Sequence, residues 1–175
     1  FCSFKLTVRF IMPSNSLYVA VIGAGRCDEK TSELAFEVGK LIAERKAILV
    51  CGGLGGVMEA ACRGAKSVGG LTVGILPSEN RKNANPYVDV VIPTGLGEAR
   101  NVLVVKSADV VIAIAGEFGT LSEIGHTLKI GKPLVGLRTW ELLKDGKTSE
   151  AIVSARTPLE AVEKAFLLLS SQCYT

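Results

Sequence analysis

Hydrophobic and polar positions along this chain form two alternating kinds of segment. The first kind is a short, uninterrupted apolar run rich in β-branched residues, and Val110–Ala115 is a clear example. Such runs are typical of strands buried on both faces of a parallel sheet. Five other segments share the pattern and are predicted strands: Leu17–Ile22, Ala47–Cys51, Leu71–Leu76, Asp89–Ile92 and Leu134–Leu137.

The second kind of segment has apolar residues at helical spacing. The first predicted helix begins near Thr31 and Ser32, which can cap it, and ends near Arg45. Four more helices are predicted at Val57–Ala65, Gly95–Lys106, Leu121–Ile130, and from a Thr157 N-cap with Pro158 at the first helical position. Two polar stretches, Ser78–Tyr87 and Trp140–Ser149, are predicted to be a surface loop and a peripheral segment.

The alternation of strand, glycine turn and helix predicts βαβ units with right-handed crossovers. The expected fold class is therefore α/β: a three-layer, Rossmann-like, doubly wound parallel sheet in a single domain. A chain of 175 residues is long enough for one such core. Residues 17–175 are expected to form this domain, with residues 1–16 as an N-terminal extension outside the core.

Composition narrows the function classes. The chain is 48% hydrophobic and 21% charged with a net charge of +3, and it has no basic stripe, so we expect no nucleic-acid partner. No apolar run approaches the roughly 20 residues that cross a bilayer, so we expect no membrane partner. Five cysteines without a C-x-x-C pair favour reduced thiols in a cytoplasmic protein. The single histidine, His126, and scattered cysteines make no metal site.

Three predicted strands are followed by glycine-rich turns, at Gly23–Gly25, Gly52–Gly56 and Gly116–Gly119. Because the carboxyl ends of parallel strands share one edge, these turns should collect there, near a topological switch point. A glycine-rich turn that enters a helix leaves free backbone amides at the positive helix end, which is a ready site for phosphate. The alternative interpretation of each cluster is a tight turn that lets a helix approach a strand.

Two common nucleotide fingerprints are absent. Asp28 occupies the place of the third glycine in a G-x-G-x-x-G pattern that would begin at Gly23. The chain also lacks G-x-x-x-x-G-K-[ST]. Neither a dinucleotide site nor a Walker-type ATP site is therefore supported.

A different set of motifs is informative. The run Ala115–Glu123 reads AGEFGTLSE, the preceding helix carries Glu98-Ala99-Arg100-Asn101, and Cys51–Ala65 reads CGGLGGVMEAACRGA. Over about Tyr18–Leu137 the sequence resembles the LOG-like Rossmann proteins, long mislabelled "lysine decarboxylases". Their hallmark is P-G-G-x-G-T-x-x-E after an arginine-bearing helix. No lysine here lies in a recognisable pyridoxal-phosphate context, so decarboxylation is not expected.

The resemblance implies roles for individual residues. Cytokinin-activating members of the family hydrolyse the N-glycosidic bond of a nucleoside 5′-monophosphate, releasing base and ribose 5-phosphate. In an enzyme of this type Arg100 and Glu123 would be catalytic, with Glu123 near the ribose or the attacking water. Alternatively, Glu123 is an ordinary helix carboxylate and Arg100 a surface arginine. The predicted ligand-binding residues are Gly23, Gly25, Gly52, Gly53, Gly55, Gly116, Phe118, Gly119 and Thr120.

Departures from the hallmark favour a different branch. Ala115 and Glu117 replace the proline and a glycine of the motif, and Asn101 replaces a lysine. The Glu117 carboxylate lies in the turn that would hold the phosphate. Repulsion between two like charges about 4 Å apart is roughly 4 kcal/mol at an effective dielectric constant near 20. The sequence of this region is more similar to the branch of the family that contains the molybdenum-cofactor carrier protein of algae.

The chain is accordingly expected to be a binding protein for a phosphorylated nucleotide-like or pterin ligand. No cofactor is required, and the bound molecule would be a nucleoside monophosphate or a molybdopterin-type compound. The alternatives are a nucleoside 5′-monophosphate phosphoribohydrolase and a scaffold or sensor that has lost its ligand. The resemblance also implies a homodimer.

Overall fold

The computed structural model describes residues 16–172. The extension predicted at residues 1–16 therefore lies almost wholly outside the described residues. Within residues 16–172 there are nine strands and five α-helices. The strands are β1 Tyr18–Gly23, β2 Ile48–Cys51, β3 Thr72–Leu76, β4 Val90–Pro93, β5 Val110–Ile114, β6 Leu134–Leu137, β7 Leu143–Lys144, β8 Lys147–Thr148 and β9 Val153–Ala155. The helices are α1 Glu29–Glu44, α2 Val57–Ser67, α3 Asn101–Lys106, α4 Phe118–Lys129 and α5 Pro158–Gln172.

Seven strands form one parallel sheet in the order β4-β3-β2-β1-β5-β6-β9. From β1 the chain moves outward to β4 and then returns to place β5 on the other side of β1. The switch point consequently lies between β1 and β5, where Gly23 is opposite Ile114. The predicted α/β doubly wound sheet is confirmed.

Helices cover both faces of the sheet, which gives the three predicted layers. Successive residues of each inner strand point to opposite faces, so Val19 and Val21 pack with α1, α2 and α5. Ala20 and Ile22 pack on the other face with α3 and α4. The uninterrupted apolar runs follow from this double burial.

Helices α1 and α2 pack closely because glycine lies at their contact. A Cβ atom on Gly39 of α1 would overlap the carbonyl oxygen of Ala61, and one on Gly64 of α2 would overlap that of Phe36. The small residues of α2 pack against the sheet, and they also allow the backbone of α1 to approach closely.

Several predicted helix boundaries are wrong. Helix α1 begins at Glu29, since Asp28 and not Thr31 or Ser32 is the N-cap: its Oδ1 accepts a hydrogen bond from the Thr31 amide at 2.8 Å. Helix α4 begins at Phe118, three residues before the predicted Leu121. The residues expected in a turn before this helix are therefore partly in its first turn.

The predicted helix Gly95–Lys106 is shorter than expected. Gly95 and Gly97 have φ angles of +66° and +55°, which do not continue a right-handed helix. A 3₁₀ turn at Gly97–Arg100 leads instead into α3.

The part of the chain after Leu137 has more structure than its polarity predicts. Asp145 and Gly146, with φ of +54° and +74°, connect β7 and β8 as a tight hairpin. Trp140 was predicted to lie in a peripheral segment because the residues after it are polar. It is instead half-buried against the core cluster that includes α3 and α4. The Thr157 cap is confirmed, because its Oγ1 accepts a hydrogen bond from the Glu160 amide at 3.2 Å.

No helix within residues 16–172 combines the length and hydropathy needed to cross a bilayer.

Candidate functional site

A cavity of about 380 Å³ lies at the carboxyl edge of the sheet, beside the switch point. This is the edge where doubly wound sheets bind their ligands. Glycine turns after β1 and β2 contribute to it, as do the segments that precede α3 and α4. Its lining residues are Gly23, Ala24, Gly25, Leu54, Met58, Pro77, Glu98, Arg100, Asn101, Glu117, Gly119, Thr120 and Glu123.

The turn after β5 brings the start of α4 to this cavity. Ala115 and Gly116 both have positive φ, +47° and +104°, and a Cβ on Gly116 would overlap the side chain of Thr120. Proline cannot adopt the positive φ of Ala115, so this turn has a conformation that the proline of the family hallmark would not allow. Glu117 is the N-cap of α4 but makes no side-chain capping bond, so the first-turn amides are not capped by it.

Two of the lining glycines leave room beside the backbone. A Cβ built on Gly25 or on Gly119 would meet no other atom within 4 Å. Both residues line the cavity, so a side chain at either position would project into open space there or beside it. Glycine at these positions therefore allows a ligand to approach the main chain.

The only arginine of the lining forms a buried ion pair with an acid. Arg100 is 5% exposed and Glu123 is 7% exposed, with Arg100 Nη1 at 3.8 Å from Glu123 Oε1. That separation is too long for a hydrogen bond. Within the described residues, Arg100 donates from Nη2 to the Gly52 carbonyl at 3.1 Å and from Nη1 to Asn101 Oδ1 at 2.7 Å. The buried Nε of Arg100 has no hydrogen-bond partner.

Gly52 makes room for this guanidinium group. A Cβ on Gly52 would lie 2.6 Å from Arg100 Nη2 and 2.8 Å from the sulfur of Met58. Asn85 holds the loop that follows Gly52. Its backbone N–H donates to the Gly53 carbonyl and its side-chain Nδ2 donates to the Leu54 carbonyl, both at 2.9 Å. The predicted surface loop Ser78–Tyr87 thus contains one buried residue that fixes the cavity wall.

Burial dominates the electrostatics of the pair. Desolvation raises the pKa of Glu123 to about 7, although the nearby Arg100 charge opposes the shift. Burial likewise lowers the pKa of Arg100, and the Glu123 charge opposes that change. Glu123 is therefore a carboxyl group that gains or loses its proton near neutral pH.

This shift predicts a pH-dependent stability that Glu123→Gln removes. The folded pKa, about 7, exceeds that of an unfolded glutamate, so the stabilising contribution of this proton is fully present below about pH 4.5 and is lost as the pH rises through 7. A shift of one pKa unit corresponds to about 1.36 kcal/mol. Between about pH 4.5 and pH 8, the free energy of unfolding of the wild type should therefore fall by roughly 3 kcal/mol relative to that of Glu123→Gln.

Urea unfolding at intervals between pH 4.5 and 8 measures the difference. Glu163→Gln, which changes an exposed carboxylate of α5, is the matched control and should keep the wild-type slope. Parallel curves for wild type and Glu123→Gln would show that Glu123 has an ordinary pKa.

The structure brings together part of the predicted site. Of the predicted residues, those that line the cavity are Gly23, Gly25, Arg100, Gly119, Thr120 and Glu123. Those that do not are Gly52, Gly53, Gly55, Gly116 and Phe118. Gly23 also has a packing role, because a Cβ there would lie 2.5 Å from a methyl carbon of Val57. Phe118 is 78% exposed, and its ring centroid is 5.7 Å from that of Trp140.

Seven lining residues are not among the predicted site residues: Ala24, Leu54, Met58, Pro77, Glu98, Asn101 and Glu117. Pro77 follows the end of β3, so the rule that ligands bind at the carboxyl edge was the signal available for it. Met58 and Leu54 belong to the turn and helix already compared with the family motif. Glu98 carried no signal apart from its position two residues before Arg100.

Two cysteines lie beneath the cavity rather than in it. Cys51 and Cys62 are buried free thiols with sulfurs 3.5 Å apart, and the Gly53 amide donates to Cys51 Sγ at 3.3 Å. The hydrogen bond between the two thiols lowers the pKa of Cys51, whereas that bond and burial raise the pKa of Cys62. In residues 16–172 no three His, Cys, Asp or Glu side chains are grouped to hold a metal ion.

A parallel sheet with a cavity at its switch point defines the class: a Rossmann-like α/β protein with a candidate ligand site at the carboxyl edge. The chain belongs to the SLOG cluster4 family, whose family model matches residues 16–162. The resemblance to LOG-like Rossmann proteins is thereby confirmed.

Three known proteins are similar to this chain. The molybdenum cofactor binding protein from Rippkaea orientalis is 37% identical, with a TM-score of 0.79 over 92% of this chain and 99% of that one. The molybdenum cofactor carrier protein from Chlamydomonas reinhardtii is 32% identical, with a TM-score of 0.75 over 89% of this chain and 99% of that one. A cytokinin riboside 5′-monophosphate phosphoribohydrolase from Mycobacterium tuberculosis is 33% identical over 76% of this chain and 82% of that protein.

Proposed function

We propose that this protein binds a phosphorylated pterin or nucleotide-like molecule in the switch-point cavity, as a carrier of the molybdenum-cofactor type. The ligand would be cargo, so no resident cofactor is required. The similarity to two proteins described as binding or carrying the molybdenum cofactor, each matched over nearly its whole length, supports this proposal.

One observation of the site carries the proposal. The uncapped first turn of α4, with Gly119 and Thr120 in the lining, faces the same cavity as the buried Arg100. Helix N-terminal amides favour an anion, and a guanidinium group with an unpartnered N–H is a strong donor to phosphate. Apolar Leu54, Met58 and Pro77 supply a surface for a flat ring in the same cavity.

A hydrolase is the second candidate, and the contact between Arg100 and Glu123 favours it. Departure of a base from a ribose builds positive charge on the sugar carbon, which a nearby carboxylate stabilises. The mycobacterial relative is described as such an enzyme. Glu117 and Asn101, which line the cavity and depart from the hallmark of the enzymes, favour the carrier.

Incubation with AMP separates the two candidates. The carrier proposal expects AMP to remain intact during prolonged incubation, as analysed by chromatography. Release of adenine and ribose 5-phosphate, lost in Glu123→Gln and in Arg100→Met, would overturn it in favour of the hydrolase.

Thermal-shift measurement tests the alternative of a scaffold without a ligand. A ligand at 100 times its dissociation constant stabilises the folded state by about 2.7 kcal/mol. The proposal expects an upward shift with molybdopterin or with a nucleoside monophosphate. No shift with any phosphorylated compound would favour the scaffold.

Gly119→Ala should weaken ligand binding without weakening the fold. The added methyl group would enter open space beside the lining, and alanine is accepted in a helix at least as well as glycine. We expect the dissociation constant to rise roughly 5- to 150-fold, since an overpacked contact costs about 1–3 kcal/mol.

Gly125→Ala is the matched control for this prediction. Gly125 lies in the same helix, also has open space around it, and is not part of the lining. It should bind ligand as wild type does in calorimetric titration. Equal affinities for Gly119→Ala and wild type would place the ligand away from α4.

We further propose that the protein is a cytoplasmic homodimer, as the family resemblance implies. Five cysteines, an odd number without a C-x-x-C pair, support a reducing compartment. Exposed Leu96 and Leu103, 53% and 37% accessible, lie beside the cavity and support a paired face near α3. Light scattering should give twice the monomer mass, and Leu103→Glu should halve it; a monomeric wild type would contradict the dimer.

A further inference from the structure

We propose that Arg100 exchanges its ion pair with Glu123 for one with the anionic group of the ligand when the ligand binds. Glu123 then takes up a proton and contacts the ligand as a neutral hydrogen-bond donor. This inference rests on the proposed function, because it needs an anionic ligand in the cavity. It assigns Glu123 a role opposite to that of a permanent carboxylate.

Arg100 is the single positive charge that the carboxylates of the lining and an anionic ligand would compete for. It is the only cation among the lining residues, against three carboxylates, Glu98, Glu117 and Glu123. Glu98 and Glu117 are exposed, so water solvates their charges. Glu123 is buried, and its charge depends on Arg100.

Arg100 is well placed to change partners. Its two hydrogen bonds to neutral oxygens, on Gly52 and Asn101, hold the guanidinium group in place. At 3.8 Å its contact with Glu123 is not a hydrogen bond, and its Nε is unpartnered. A phosphate that accepts short, charge-assisted bonds from the guanidinium group therefore competes favourably with Glu123.

Within residues 16–172, Arg100 is the only charged group that lowers the pKa of Glu123. Beneath it lies Cys51 of β2, whose thiolate form would repel a carboxylate. The other charged lining groups are the carboxylates of Glu98, before α3, and Glu117, at the start of α4. His126, on the next turn of α4, is not part of the lining.

A buried carboxylate left with only neutral or negative neighbours is strongly disfavoured relative to its protonated form. The pKa of Glu123 is already about 7 in the free protein, so the proton is taken up with little cost near neutral pH. The neutral acid gains an O–H donor, which a carboxylate lacks. Ligand affinity should therefore be greatest below pH 7 and fall above it.

Calorimetric titration with ribose 5-phosphate at pH 7.5 and 8.5, in buffers of different ionisation enthalpy, counts the protons. This probe has a phosphate monoester, which is mainly a dianion at both pH values, and no bond for the hydrolase candidate to cleave. Wild type should take up about 0.8 proton per ligand at pH 7.5 and close to one at pH 8.5, because a group with a pKa near 7 is already partly protonated at the lower pH. Its dissociation constant should rise roughly eightfold between the two pH values, following the protonated fraction of a group with a pKa near 7.

Glu123→Gln is the decisive variant, because glutamine is a neutral donor of the same shape. It should bind ribose 5-phosphate with no proton uptake and with equal affinity at both pH values, tighter than wild type at pH 8.5. Glu163→Gln, far from the lining on α5, should behave as wild type does. Infrared difference spectra of wild type should show the carbonyl stretch of a protonated carboxyl on loading, and those of Glu123→Gln should not.

The outcomes separate this inference from the proposed function. Binding by wild type without proton uptake, proton uptake retained in Glu123→Gln, or loss of binding in Glu123→Gln would each overturn the inference while leaving the cavity as the ligand site. Absence of binding to ribose 5-phosphate overturns the inference as well. Absence of binding to AMP and molybdopterin in addition would overturn the proposed function.

Discussion

Arg100→Met is expected to abolish detectable binding of phosphorylated ligands and to destabilise the fold in a pH-dependent way. Removing one partner of a buried ion pair leaves the other charge uncompensated, which is more costly than losing both. The variant also loses hydrogen bonds to Gly52 and Asn101. At pH 8 we expect the free energy of unfolding to fall by about 2–3 kcal/mol.

The loss should shrink to about 1 kcal/mol at pH 5.5, where Glu123 is already protonated in the wild type and only the hydrogen bonds are missing. Urea unfolding at both pH values measures this. The double variant Arg100→Met/Glu123→Gln should remove the pH-dependent part of the loss while leaving ligand binding absent. An equal loss at both pH values would mean that Arg100 and Glu123 are not electrostatically coupled.

Gly39→Ala and Gly64→Ala are each expected to destabilise the protein by about 3 kcal/mol, at the upper end of the range for an overpacked core. In both cases the new methyl group would overlap a backbone carbonyl oxygen of the facing helix. Backbone cannot rotate away as a side chain can, so α1 and α2 must move apart.

Moving α1 and α2 apart should also disturb the cavity lining and so lower its affinity for a ligand. The loop after β1 and the start of α2 are joined by a hydrogen bond from the Val57 amide to the Ala24 carbonyl at 3.0 Å, and Ala24 lines the cavity. Chemical denaturation and ligand titration of both variants test the two effects. Gly125→Ala, a glycine in an uncrowded helix position, is the control and should be no less stable than wild type. Wild-type stability for Gly39→Ala would contradict the close packing of α1 and α2.

The sheet could be predicted because its inner strands are buried on both faces. Val110–Ile114 is apolar throughout, so its type and its place near the centre of a parallel sheet are encoded locally. The edge strand β9 is not encoded in this way, since Val153–Ala155 is short and includes Ser154. Its place in the sheet depends on pairing with β6, which sequence patterns do not reveal.

Helix ends were harder to predict than helices. Gly119 is a poor helix former, so the sequence favours a turn at a position that the structure places in the first turn of α4. Asp28, Thr31 and Ser32 are all good caps by type, and only the geometry selects Asp28.

The candidate site was predictable where the chain carries a motif. Gly119, Thr120 and Glu123 belong to one motif, and topology then carries the helix before β5 to the same edge. The ion pair of Arg100 with Glu123 and its hydrogen bond to the Gly52 carbonyl could not be predicted from sequence patterns. Arg100 and Gly52 are 48 positions apart in the sequence. The wall formed by Leu54 and Pro77 depends likewise on strand order.

Calorimetric titration of the wild-type protein with molybdopterin is the sharpest test of a ligand site at the switch point. We expect saturable binding of one molecule per chain, which Arg100→Met abolishes and Gly125→Ala leaves unchanged. Molybdopterin that fails to bind, or that binds equally well to Arg100→Met, would contradict a ligand site built on this cavity.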